Sequence, residues 1–301
     1  MRSSRRRRRR PQECQDDDVN APRRFSQVDV FCSDGFSGNP LAVVHDAEGI
    51  TADQMAAVTR WTNLSEVTFL LAPTDPAADY RVRIFHQAGE FPFAGHPTLG
   101  SCRAWLDGGG TPHDPERIVQ ECGIGLVPIR RDGERPAFAA PPLVRSGPVD
   151  TEVLQERMAQ LGLVDDDVVD AAWIDNGPGW MGILLGSVAD VRAVPLPDGR
   201  LPGFHVGLVG LASPGSETDL EIRGLFADAT GRVREDPVTG SLNASAAQWL
   251  IGSGRIDAPY VASQGSVLGR RGRVHVTPDE STDDLWIGGS TTVHVHGTIT
   301  L

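Results

Sequence analysis

The chain has 301 residues, 40% of them hydrophobic, which is enough for two domains of ordinary size. Its net charge is −12, and no apolar run approaches the roughly 18 residues of a membrane span, so we expect a protein without membrane segments. All 28 basic residues are arginine, and the lack of lysine excludes chemistry that needs a lysine Schiff base or a phosphate-loop lysine. Four cysteines without metal-binding spacing favour a reducing, cytoplasmic setting.

Residues 1–24 differ from the rest of the chain. They open with a block of arginines and continue through polar and acidic residues without apolar periodicity, which predicts a disordered tail with no signal peptide. An unselected extension is favoured over an arm that binds nucleic acid. The tail holds nine of the arginines and four acidic residues, so the body that remains has a net charge of −17 and is a poor partner for nucleic-acid phosphates.

The first half is predicted to span residues 25–135 and to open with a hairpin of strands 25–31 and 41–45. Thr51 is the expected cap of a helix whose buried face reaches Trp61. Glu66 then stands directly before the alternating strand 67–71. A glutamate in this position is commonly a solvated surface residue. If it is half-buried, desolvation raises its pKa and suits it to donate and retake a proton near neutral pH.

The rest of the first half is read as a strand at 80–86, a helix start at Gly95-His96 and a hairpin about Cys122-Gly123. The second half, residues 136–301, repeats the mixture of helices and short strands. A helix is predicted at 153–161, and strands are predicted at 171–174, 181–185, 204–211, 220–226, 273–276, 285–287 and 292–299. Strand exchange between the halves, if it occurs, is expected near the C-terminus.

Two helix starts resemble each other. His96, Pro97, Gly100 and Ser101 recur as Asp236, Pro237, Gly240 and Ser241, each 140 positions later. The helices they open, 97–107 and 239–251, are mostly small and apolar all round, as a helix wrapped by a sheet should be. We therefore predict an α+β fold of two similar halves, each a curved, mostly antiparallel sheet around a central helix. A small carboxylate would bind between the two helix N-termini, whose first amides have no intrahelical partners.

Several segments together resemble the PhzF-like phenazine biosynthesis family, within the diaminopimelate epimerase fold. They are GNPLAVV (38–44), TNLSEVTF (62–69), YRVRIF (80–85), GEFPFAGHPTLGS (89–101) and EDPVTGSLNAS (235–245). The resemblance implies a homodimeric isomerase that needs no cofactor, typified by trans-2,3-dihydro-3-hydroxyanthranilate isomerase. It also implies that Glu66 is the acid/base, that His96 and Asp236 position the substrate and assist proton movement, and that Gly95, Gly240 and Ser241 bind the substrate.

Two features separate the sequence from other enzymes of that fold. Epimerases that use two thiols carry one at each helix start, whereas only Cys102 lies near either start here, which disfavours two-base chemistry by cysteines. His294 and His296 share a strand face, but two histidines without a third ligand do not predict a metal site. The alternative to an isomerase is a catalytically silent protein that binds a small acid, and the sequence does not identify the substrate.

Overall fold

A computed structural model describes residues 21–132 and 135–301. The expected disorder of residues 1–20 lies outside the described residues. The first part of the described chain forms β1 (Arg23–Val30), β2 (Asn39–Val44), α1 (Ala52–Thr62), β3 (Glu66–Leu71), β4 (Tyr80–His86), β5 (Gly89–Phe91), α2 (Gly95–Asp107), β6 (Arg117–Cys122), β7 (Gly125–Asp132) and β8 (Arg135–Ala139).

The second part forms β9 (Arg145–Pro148), α3 (Thr151–Leu161), β10 (Val168–Asp175), β11 (Met181–Leu185), α4 (Val188–Ala193), β12 (His205–Leu211), β13 (Leu220–Ala227), β14 (Val233–Asp236), α5 (Gly240–Gly252), β15 (Tyr260–Gln264), β16 (Gly272–Pro278), β17 (Leu285–Gly288) and β18 (Thr291–Ile299). The predicted strands are all present, most with ends within about two residues of the expected positions.

Strand pairing repeats within the chain and confirms two similar α+β halves. In the first half, β1–β2 is antiparallel, β2–β3 parallel, β3–β4 antiparallel and β4–β6 parallel, and β7 and β8 follow as antiparallel neighbours. The second half repeats this order from β10 to β17. β1–β8 therefore correspond in order to β10–β17, and α2 corresponds to α5.

The two halves share one continuous sheet. β8, which begins at the predicted boundary, pairs with β7 and also with β17 of the second half. The C-terminal strand β18 pairs with β1 of the first half. In the second half the equivalent neighbour of β10 is β9. The last strand of the chain therefore completes the sheet of the first half.

The expected tail boundary at residue 24 is wrong by two residues, because β1 begins at Arg23. Arg24 pairs through its backbone with Thr298 of β18, and its guanidinium binds Asp46 and the carbonyl oxygen of Gly108. Trp61 is a second correction: its side chain is 81% exposed, so the buried face of α1 consists of Met55, Val58 and Thr59.

The central helices lie in the core shared by both halves. Most residues of α2 and α5 are buried, including Leu99, Cys102, Leu242 and Ala246. We call the sheet face that packs on α2 or α5 the inner face. Smaller clusters lie on the outer face, where α1 covers the first half and α3 and α4 cover the second. None of the described helices is long and apolar enough to cross a membrane.

Candidate active site

The N-termini of α2 and α5 meet in the middle of the protein. A Cβ atom added at Gly240 would lie 3.0 Å from the Cα of Gly95, and one added at Gly95 would lie 3.1 Å from the Cα of Gly240. Only glycine allows the two backbones to come this close. Neither helix has a side-chain cap, so the first amides of both are left for another acceptor. Gly95 and Gly240 thus bring two positive helix ends to one place, which suits an anion.

The register of the predicted repeat is corrected by this contact. Gly95 is the first residue of α2 and Gly240 the first of α5, so equivalent positions differ by 145 rather than 140. His96 therefore corresponds to Ser241, whereas Asp236 ends β14 four residues before its helix. The reason is local: Pro97 lies within the first turn of α2, where the missing N–H costs nothing, while Pro237 lies in the extended approach to α5.

Glu66 is the first residue of β3 and points to the inner face. Its Oε2 lies 3.5 Å from Nε2 of His96, and the two side chains are 16% and 5% exposed. Within the described chain neither of these atoms has a hydrogen-bond partner. Burial raises the pKa of Glu66 well above its usual value, and the nearby charge of Asp236 raises it further. The condition set for Glu66 from the sequence, partial burial, is therefore met.

Asp236 lies at the end of β14 beside the start of α5. Its Oδ1 accepts a hydrogen bond of 3.0 Å from the Asn39 amide, and its Oδ2 accepts one of 2.7 Å from the Thr239 hydroxyl. Burial raises the pKa of Asp236 to about 6, although both hydrogen bonds oppose the shift. Two carboxyl groups with raised pKa values therefore face one site, where the charge of Asp236 opposes ionisation of Glu66.

His96 is neutral in this environment. Burial lowers its pKa to about 3, so the ring is an uncharged hydrogen-bonding group throughout the physiological range. Its Nδ1 lies 3.5 Å from Nδ2 of Asn39. Asn39 thus contacts both His96 and Asp236, and it also donates to the carbonyl oxygen of Val238 at 2.9 Å. One amide from β2 connects the two halves of the site.

Asn39 and Gln264 are site residues that the sequence reading missed. Asn39 lies in the segment GNPLAVV, but Asn before Pro is common in turns and does not by itself indicate a site residue. Gln264, in β15, donates to the carbonyl oxygen of Asp236 at 3.1 Å and accepts from the backbone of Thr239 at 3.0 Å. A glutamine at the end of a strand carries no local signal, so only the tertiary contact reveals it.

Ser241 is held by the loop between β10 and β11. The indole Nε1 of Trp180 donates to Oγ of Ser241 at 3.1 Å, and the Asn176 side chain donates to its carbonyl oxygen at 2.9 Å. Trp180 also packs edge-on against His205, with ring centroids 5.5 Å apart. The loop between β10 and β11, with Gly177 and Gly179 in it, therefore forms a wall beside the start of α5.

Cys102, His294 and His296 are the residues that the sequence raised as a possible thiol base and as possible metal ligands. Cys102 is buried in α2, where desolvation raises its pKa to about 12, so it is a packing residue rather than a nucleophile. His294 lies 3.9 Å from Asp29, and His296 lies 3.6 Å from Asp107. No group of three or more His, Cys, Asp or Glu side chains suited to a metal is found among residues 21–132 and 135–301.

Comparison with known proteins gives consistent matches. The family model described as phenazine biosynthesis-like protein, PhzC-PhzF, matches residues 28–298. Antisense-enhancing sequence 1 of Schizosaccharomyces pombe is 35% identical, over 91% of this chain and 97% of its own length. Trans-2,3-dihydro-3-hydroxyanthranilate isomerase of Pseudomonas aeruginosa is 33% identical, over 84% of this chain and 89% of its own length. The solved PhzF-family protein of Bacillus anthracis shares the fold, with a TM-score of 0.78 and 19% identity over 93% of this chain and all of that one.

Proposed function

Because the chain belongs to the phenazine biosynthesis-like family and is an isomerase, we propose that it moves a proton between two carbons of a small carboxylated metabolite. The substrate is a cyclic diene or an amino-acid-like acid, by analogy with the isomerase named among its relatives. The observation that carries this proposal is the buried Glu66 carboxyl group, with its unpartnered Oε2 3.5 Å from His96.

In the proposed reaction the substrate carboxylate binds the free amides at the starts of α2 and α5, next to Gly95, Gly240 and Ser241. Glu66 in its ionised form takes a proton from one carbon, and the electron pair left behind spreads into the conjugated system. Glu66 then returns the proton to another carbon, so the protein ends in its starting state. A carboxyl group whose pKa is raised towards neutrality can perform both steps.

His96 and Asp236 have supporting parts in this proposal. Neutral His96 donates a hydrogen bond to Glu66 or to the substrate, and Asn39 fixes the orientation of the ring. Asp236 accepts a hydrogen bond from a substrate hydroxyl or amine and modulates the pKa of Glu66 through its charge. No cofactor is needed for proton transfer of this kind. We further propose that the protein works in the cytoplasm as a homodimer.

The test is solvent hydrogen exchange. Purified protein is incubated in deuterated buffer with trans-2,3-dihydro-3-hydroxyanthranilate and related carboxylated dienes, and deuterium uptake and movement of the double bonds are followed by NMR. Glu66→Gln should lower the rate by about 10²–10⁴-fold, the usual contribution of a general acid/base. The matched control Glu152→Gln, on the exposed first turn of α3, should leave the rate unchanged.

Two results contradict the proposal. If Glu66→Gln exchanges as fast as the unaltered protein, Glu66 is not the acid/base. If the unaltered protein binds these acids but exchanges none of them, it is a binding protein rather than a proton-transfer enzyme.

A further inference from the structure

A cavity lined by arginines opens on the second half of the protein. It is an open surface cavity of about 510 Å³, lined by Gly199, Arg200, Thr230, Arg232 and Arg234. The loop before β12 and the hairpin between β13 and β14 form its walls, joined by a hydrogen bond from the Leu201 amide to the carbonyl oxygen of Gly231. Three guanidinium groups around one cavity stand out in a chain whose net charge is −12.

The cavity is linked to the active site through β14. Gly224 pairs with Asp236, and a Cβ added at Gly224 would meet Thr239 and Leu242, so this pair faces the inner side. Successive side chains of a strand alternate between faces, so Arg234 points to the same side as Asp236. The two residues are about 7 Å apart along the strand. Arg234 is therefore the next residue on the same face of β14 as the carboxylate of Asp236, towards the hairpin between β13 and β14.

The neighbours of Arg234 form a row across the sheet. His205 pairs with Phe226 and Phe226 pairs with Arg234, while Trp180 packs edge-on against His205. Since directly paired residues lie on one face, an aromatic wall runs from Trp180, beside Ser241, to the guanidinium of Arg234. This row connects the start of α5 to the arginines across one face of the sheet.

Charge pairing leaves the cavity positive. Asp228 is the carboxylate at its rim: its Oδ2 binds Nε of Arg234 at 3.0 Å, and its Oδ1 accepts from Thr230 and from the backbone of Arg232. These hydrogen bonds lower the pKa of Asp228, so it remains ionised and holds the hairpin. The bond to Arg234 uses Nε and not the two terminal amino groups. In the described chain no carboxylate forms an ion pair with Arg200 or Arg232.

We propose that this cavity is a second anion-binding subsite, and that the substrate carries a phosphate or a second carboxylate in addition to the acid group held at the helix starts. The assignment of this subsite to the substrate rests on the proposed function. Guanidinium groups present paired N–H donors that match the oxygens of either anion. Arg234 and Arg232 are the positioning residues, since they bind the far end of the substrate and not the carbons that exchange a proton.

The test measures anion binding without the unidentified substrate. Inorganic phosphate and succinate are titrated separately into the full-length protein by calorimetry at low ionic strength, for the unaltered protein, Arg234→Gln, Arg232→Gln and Arg60→Gln. Arg60→Gln makes the same charge change on the exposed end of α1 and is the matched control. The two arginine variants in the cavity should weaken binding of at least one anion by about tenfold, the loss expected for a charge-assisted hydrogen bond.

The outcomes separate this inference from the proposed function. Weakening of phosphate binding identifies a phosphate, and weakening of succinate binding alone identifies a second carboxylate. The inference is overturned if neither anion binds. It is also overturned if Arg234→Gln weakens binding no more than the control Arg60→Gln does. The exchange assay of Glu66→Gln tests proton transfer, and the titrations of Arg232→Gln and Arg234→Gln test the cavity, so the two proposals can fail separately.

Discussion

Replacing Asp236 by asparagine tests the electrostatics of the site through stability. Burial raises the pKa of Asp236 from 3.8 to about 6, so the folded protein binds a proton there more tightly than the unfolded chain does. Stability is therefore highest below the unfolded pKa and falls as pH rises through the folded pKa. Ionised Asp236 in the folded protein costs roughly 3 kcal/mol above pH 6.

Asparagine has nearly the same shape and removes this cost. It keeps an oxygen that can accept from Asn39 and loses the acceptor used by the Thr239 hydroxyl, a loss of about 1 kcal/mol. Asp236→Asn should therefore be roughly 2 kcal/mol more stable than the unaltered protein at pH 7.5, and equal or slightly less stable at pH 4. The charge of Asp236 also raises the pKa of Glu66, so its removal adds a change in the same direction.

The assay is reversible urea unfolding of both proteins at intervals from pH 4 to pH 8. The difference in the free energy of unfolding should grow by about 3 kcal/mol, mostly between pH 4 and pH 6. Asp283→Asn, at an exposed position in the loop before β17, makes the same charge change away from the site and is the matched control. A flat difference for Asp236→Asn would refute the buried carboxylate, and with it the electrostatic basis of the proposed mechanism.

Two further substitutions test the packing around the site. Gly240→Ala places a Cβ against the backbone of Gly95 and should lower the free energy of unfolding by about 1–3 kcal/mol. The control is Gly252→Ala in the same helix: its added Cβ would have no atom within 4 Å, so the change should be neutral or stabilising by up to about 1 kcal/mol. Equal melting temperatures of the two variants would contradict the close approach of the helices. Glu235→Gln breaks a bidentate pair with Arg223 in which both side chains are 1% exposed, and should cost about 3–5 kcal/mol by chemical unfolding. The control is Glu217→Gln. Glu217 pairs with Arg273 but its side chain is 81% exposed, so its loss should cost less than about 1 kcal/mol. A similar loss of stability in both variants would show that burial does not strengthen the Glu235–Arg223 pair.

Much of the fold was predictable because its signals are local. Tyr80–His86 and Met181–Leu185 alternate or run apolar in the way strands do, and the Thr51 cap is a complete capping box with Gln54. The strands that were missed have weak signals of their own. β5 has three residues, and β8 and β9 are rich in Pro, Gly and Arg, so their strand state comes from pairing with neighbours already in place.

The site was predictable only in part, for a different reason. Glu66, His96 and Asp236 lie within motifs that the family resemblance marks, and the structure brings them together. Asn39 and Gln264 connect those residues through contacts that span 197 and 28 positions of sequence, which no local pattern encodes. The repeat was found, but its register was set by matching Pro97 to Pro237, and proline is acceptable both inside a first helical turn and before a helix.

The corrected register explains why a symmetric scaffold can have asymmetric chemistry. Glu66 opens β3, and the equivalent position that opens β12 is His205; Asp236 ends β14, and its equivalent in β5 is Phe91. Each half thus supplies one carboxyl group, from different strands, and neither supplies a thiol at its helix start. Two identical bases on opposite sides would suit inversion at one carbon, whereas a single acid/base, the part proposed for Glu66, suits transfer from one carbon to another on the same side of the substrate. In the proposed function the repeat supplies two helix ends for the substrate's carboxylate, and the divergence between its copies supplies the different side chains around them.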